Sequence, residues 1–137
     1  AHTAQAQDDL VLTGLGGRYV PATDSFLGVS TCRAMETLTA SISFVSTTAI
    51  HGDALCHPDE DAAVTKTELI QLGQRKVLVV DSSKFAVEGM HFVARLSTFD
   101  DIVIDQHTNA EQNRVLEQSG ARVHVVETPK PDQPTSS

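Results

Sequence analysis

Two lysines in this chain occupy places where a cation calls for a reason. Lys84 follows Asp81, Ser82 and Ser83 directly after the apolar run Val77-Leu78-Val79-Val80, so a carboxylate, two hydroxyls and an ammonium arrive together. Four consecutive aliphatic residues read as a strand buried on both faces, the kind found in parallel sheets. Open α/β sheets build their ligand sites at the carboxyl ends of such strands. The chemistry on offer is anion capture, with a mobile point charge, hydroxyls and free amides around a phosphate or carboxylate. The plainer alternative for Lys84 is a solvated turn in which it pairs with Asp81. Lys66 is three or four residues from Ala62, Ala63, Leu69 and Ile70, which puts it on the apolar face of a helix. Either its stem covers apolar surface while the ammonium reaches water, or it enters a polar cavity to meet an anion or Asp81. A buried lysine must be paired or give up its proton, so a partner is demanded in both cases.

Other constellations carry less. Ser82 or Ser83 with Lys84 is formally a nucleophile pair, but neighbouring residues seldom face each other and no Gly-x-Ser-x-Gly elbow is present. Gly14-Leu15-Gly16-Gly17 follows a short apolar segment without the dinucleotide spacing or a following helix, so no cofactor is called for there. His51, Asp53, Cys56 and His57 could ligate zinc, yet they lie in one stretch with no paired second half, and no metal site is expected. His91, His107 and His124 are scattered, and Asp100 with Asp101 reads as a solvated turn.

The elements that must hold these groups follow from periodicity. Residues 1–7 suggest the end of a helix, 10–13 a short strand, and 18–20 extended chain that Pro21 halts. Val29, Cys32, Met35 and Leu38 fall on one helical face, predicting a helix over 29–39, with a strand over 42–46 and a loop over 47–52. Pro58-Asp59-Glu60-Asp61 starts a helix that runs over 61–72 to Gly73. Strands over 76–80, 102–105 and 122–126 follow, the last two separated by a helix over 109–119 that Gly120 closes. Alternating strands and helices with short joints predict an α/β fold, a mostly parallel, Rossmann-like sheet with flanking helices. Residues 1–127 read as one domain and 128–137, rich in proline, as a flexible tail.

Composition narrows the partners. The formal charge of −8 argues against a direct grip on nucleic acid, which needs clustered lysine and arginine. No apolar run reaches the ~20 residues of a membrane span, and no signal peptide is evident at residue 1. Two cysteines, Cys32 and Cys56, make no disulfide framework and suit a reducing cytoplasm.

Taken in order, Leu12-Thr13-Gly14-Leu15-Gly16-Gly17, Ser25-Phe26-Leu27-Gly28, the acidic helix start with Lys66, and Val80-Asp81-Ser82-Ser83-Lys84-Phe85 resemble the carboxyl-terminal sensor domain of DeoR-type transcriptional repressors, from about residue 10 to 127. The resemblance implies a fold related to ribose-5-phosphate isomerase, glucosamine-6-phosphate deaminase and CoA transferases. It implies a pocket for a phosphorylated sugar or similar anionic metabolite, no cofactor, homo-oligomerisation, and DNA contact only through an amino-terminal helix-turn-helix outside this chain. It also implies that the first strand-helix unit of the sensor is missing here. Lys84 would match a substrate-contacting lysine of the isomerase, whereas Lys66 stands roughly where the isomerase keeps its carboxylate base. A cation cannot abstract a proton from a sugar carbon, so binding without turnover is expected. Ile104-Asp105-Gln106 departs from the family's usual Ile-Thr-Asp. The expected effector site comprises Lys84, Lys66, Asp81, Ser82, Ser83, Gly16 and Gly17. The rivals are an isomerase- or deaminase-like enzyme using Glu60 or Asp81, and a module that only self-associates.

Overall fold

The computed structural model describes residues 9–22 and 24–129. A short antiparallel hairpin, β1 (Arg18–Val20) and β2 (Ser25–Leu27), leads into helix α1 (Val29–Met35). The main sheet has four parallel strands in the order β3 (Ala40–Val45), β6 (Gly73–Val79), β8 (Asp101–Asp105), β9 (Arg122–Val126). A second, antiparallel sheet joins β4 (Ala49–His51), β5 (Ala54–His57) and β7 (His91–Arg95). Helix α2 (Glu60–Leu72) connects β5 to β6, and α3 (Ala110–Gln118) connects β8 to β9.

The long helix is specified at both ends. Asp59 is extended and its carboxylate accepts the Ala62 amide at 3.2 Å, while Glu60 and Asp61 lie in the first turn where acids meet the positive end of the dipole. At the other end Gly73 passes straight into β6 with no loop. A Cβ there would collide with the backbone nitrogen and Oγ of Ser43, so glycine is required for the close approach of β6 to β3. Ser43 Oγ also donates to Leu69 O at 2.7 Å, fastening the last turn of α2 to β3. Helix α3 opens with a reciprocal capping box between Asn109 and Gln112 and is followed by Gly120 at φ 80°.

In the main sheet the strands follow one another in chain order, so right-handed crossovers all pass over the same face. That face carries the core. Val45, Leu78, Val80, Ile102 and Ile104 pack with Ala63 and Ile70 of α2, Leu116 of α3, and Leu55, Val93 and Ala94 of the second sheet. The opposite face is open toward its edges, with Ile42 41%, Phe44 66% and Val79 43% exposed, while Val77 on the same face is 6% exposed. It also bears a polar cluster around Asp101, which is 1% exposed. Arg75 Nε reaches this carboxylate at 2.8 Å, His124 Nε2 at 2.9 Å and Arg122 Nε at 3.8 Å. The two hydrogen-bonded partners, Arg75 first and then His124, hold Asp101 well below the usual carboxylate range.

The sequence reading needs correcting in five places. Residues 10–13, expected as a strand, form no regular element, because no described segment pairs with them. The loop expected over 47–52 contains strand β4, and its hairpin with β5 turns through Gly52 at φ 60°. The helix expected over 29–39 ends at Met35. Asp101 is a buried ion-pair centre, not part of a solvated turn, and His124 is one of its partners. Thr128, placed in the expected tail, is tied back to the domain by paired bonds with Gln106, each 2.9 Å. The helix suggested over residues 1–7 and the tail from residue 130 lie outside the described residues.

Leu78 is fully buried at the centre of this core. Leu78→Ala should cost about 2–5 kcal/mol of unfolding free energy, read as a lower urea midpoint with unchanged slope.

Candidate functional site

A cavity of about 520 Å³ opens at the carboxyl end of β3, between the β1–β2 hairpin and the start of α2. Its wall includes Arg18 and Ser25 from the hairpin, Ser46 and Thr48 beyond β3, His57 at the end of β5, and Asp59 and Lys66 from the cap and body of α2. Helical spacing carries Lys66 one turn past Ala62 and Ala63, both buried, and aims it at the strand end. Its ammonium donates to Ser46 O at 2.7 Å. No described carboxylate lies within ion-pair distance of it. Burial first, and then the like charge of Lys84, lower its pKa from the ordinary lysine value. The Lys66 site is therefore a half-desolvated cation held by a neutral carbonyl, a state that an incoming anion would relieve.

The other cation in the wall is already engaged. Arg18 pairs with Asp61 at 2.7 Å, which ties the hairpin to the first turn of α2. His57 is buried, and its Nδ1 accepts the Asp59 backbone amide at 2.9 Å. Desolvation foremost and the Lys66 charge second push its pKa down, against the opposing pull of Asp59.

Lys84 sits in a 3-10 turn, Ser82–Ala86, that follows β6. Asp81 caps this turn by accepting the Ser83 amide and hydroxyl, and its other oxygen is 4.0 Å from Lys84 Nζ. The turn is bolted to the sheet by Asp105 at the end of β8. That carboxylate, 4% exposed, accepts the amides of Ser82 and His107, both at 2.8 Å. Burial pushes Asp105 up, but the Ser82 and His107 amides, with the Ser82 side chain and the His107 charge added, outweigh it and hold the carboxyl below its ordinary value.

Comparison with known proteins places this architecture. The family model of the DeoR C terminal sensor domain matches residues 1–106. The chain belongs to that family. An uncharacterized HTH-type transcriptional regulator from Haemophilus influenzae is 27% identical over 106 residues, 77% of this chain. The chain spans 41% of that relative's length. Helix α3 and strand β9 lie beyond the matched residues of the sensor domain.

The sensor domain distributes the expected site residues over three places. Lys66 lines the cavity. Lys84, Asp81, Ser82 and Ser83 share the neighbouring turn, outside the lining, although the Lys84 charge reaches Lys66. Gly16 and Gly17 belong to the packing of α1: Thr31 Oγ1 donates to Gly16 O at 2.7 Å, and a Cβ on Gly17, at φ 124°, would collide with the same hydroxyl. Sequence reasoning missed Arg18, His57 and Asp105 as site builders. Arg18 follows the glycine pair directly, and His57 stands two residues before a helix cap, so both had a local signal. Asp105 had none, since its two amide partners are set by the fold. The zinc candidates His51, Cys56 and His57 fall on strands β4 and β5, and no group of three or more ligand-type residues able to hold a metal occurs among the described residues.

Because the folded pKa of Asp105 lies below its unfolded value, its contribution to stability is present above about pH 4 and is lost as pH falls through the folded value. Asp105→Asn should therefore unfold more easily than the parent at pH 7, and the difference should shrink toward pH 3 in paired urea titrations.

Proposed function

We propose that this sensor domain binds a phosphorylated sugar or a related small anionic metabolite in the Lys66 cavity. The binding would control a DNA-binding part outside this chain, in a cytoplasmic, self-associating transcriptional repressor. One observation carries the reading: a half-buried ammonium with only a carbonyl for partner, facing a cavity at the strand ends. A volume of about 520 Å³ falls within the ordinary range for small-molecule sites, which favours a ligand over a module that merely self-associates. Lys66 would take the anionic group, with Lys84 adding charge from the adjoining turn; the amides of Ser82 and Ser83 are already spent on Asp105 and Asp81, so these serines would act by holding that turn in place. Gly16 and Gly17 would act indirectly, by letting the chain before Arg18 approach α1.

The alternative, an isomerase- or deaminase-like enzyme, needs a carboxylate base beside the ligand. Asp59 lines the cavity, but its carboxylate caps α2. Glu60 lines a different cleft, between α1 and α2, and Asp81 is engaged by Ser83 and Lys84. This occupancy supports binding without proton abstraction. Regulation then arises from unequal ligand affinity for two arrangements of the full protein.

Calorimetry on the full-length regulator with a panel of sugar phosphates tests the proposal. Lys66→Met should weaken binding about 10- to 100-fold, the worth of a charge-assisted hydrogen bond. Lys84→Ala should weaken it less, and binding indifferent to both changes would count against the site. Lys66 is protonated below its lowered pKa, so affinity should fall as pH rises through that value, before the ordinary lysine value of 10.5 is reached.

A further inference from the structure

We propose that His57 selects the neutral part of the ligand, donating its Nε2 hydrogen to an uncharged hydroxyl or carbonyl oxygen; this rests on the cavity being the ligand site. The argument begins with the partner of Nδ1. The Asp59 backbone amide points at it from 2.9 Å, and a backbone N–H only donates. Nδ1 must therefore offer a lone pair, which excludes both the imidazolium and the Nδ1–H tautomer. The remaining form carries its hydrogen on Nε2. The selection is built into the fold, because Asp59 is the extended cap residue of α2 and its own carboxylate is spent on the Ala62 amide.

Nε2 is then an unspent donor. No described group accepts from it, yet no buried side-chain nitrogen or oxygen is left without a partner among the described residues. Nε2 must accordingly reach open space, although His57 as a whole is only 7% exposed. The space His57 lines is the cavity it shares with Lys66. The charged and titratable groups acting on the ring are Lys66, Asp59 and His91 of β7; desolvation first and the Lys66 charge second disfavour the imidazolium, in line with the lone pair that Nδ1 offers.

The cavity thus presents one cation and one neutral donor. Lys66 suits a single anionic group, and His57 suits an oxygen of the body that carries it. A second phosphate at His57 would gain a hydrogen bond but no opposite charge. The ligand class is a compound with one anionic group and a polyol or hydroxycarbonyl body.

The test uses the full-length protein, calorimetry with inorganic phosphate and with sugar monophosphates, and 15N-resolved NMR of the histidine rings. NMR should show His57 as the Nε2–H form. His57→Phe should weaken the sugar phosphate about 10-fold and inorganic phosphate clearly less, and His57→Gln, which keeps a donor, should recover part of the sugar phosphate loss. Lys66→Met should weaken both ligands. Equal loss of both ligands in His57→Phe, loss of neither, or an Nδ1–H ring would overturn the assignment alone. Failure of the parent protein to bind either ligand would remove the phosphate site and the His57 assignment together.

Discussion

A parallel sheet whose strands run in chain order leaves its crossovers a single face to cross, and that constraint shapes the rest of this domain. Helices α2 and α3 and the small antiparallel sheet all crowd one side, so the core is a single layer between them and β3, β6 and β8. The same geometry stacks the carboxyl ends of these strands along one rim. Ser46, the 82–86 turn and Asp105 meet there because each directly follows or ends a strand of this sheet. The other face keeps Ile42, Phe44 and Val79 in the open, which is unusual for a parallel sheet.

At the rim the electrostatics are incomplete by construction. Elsewhere the domain pairs its buried charge generously: Asp101 collects two arginines and a histidine, and Asp105 two amides. Lys66 receives one carbonyl and a repelling neighbour. Leaving a cation in that condition costs folding energy, a cost that the anion proposed for this cavity would offset. Proteins tolerate such local deficits at sites where they act, and the compensation here is the well-capped helix on which Lys66 rides.

What could be read from the residues depended on how local the signal was. Strand β6 and helices α2 and α3 announced themselves by an unbroken aliphatic run, an Asp59 cap, and the Asn109 start with Gly120 after it. Strands β4, β5 and β7 did not, being 3 to 5 residues long with histidine at their ends. The Gly52-Asp53 pair between apolar segments is a hairpin signal, masked here by the ligand-like residues around it. Residues 10–13 have strand composition, but composition makes a strand only when a neighbour supplies hydrogen bonds. Lys66 and Lys84 were visible because each breaks an apolar context. Their separation into cavity wall and adjoining turn was not, since register and helix placement decide it.

Asp105 joins two parts of the molecule that the chain keeps 25 residues apart, Ser82 to His107. One carboxylate serves as the shared hinge pin for the turn bearing Lys84 and for the loop that begins α3, with Gln106 beside it gripping Thr128. Moving that turn would stretch the part-buried bond from the Ser82 amide to Asp105. The bonds of Asp105 and Gln106 thus string that turn, the loop before α3 and the chain leaving β9 on one hydrogen-bonded line from rim to exit.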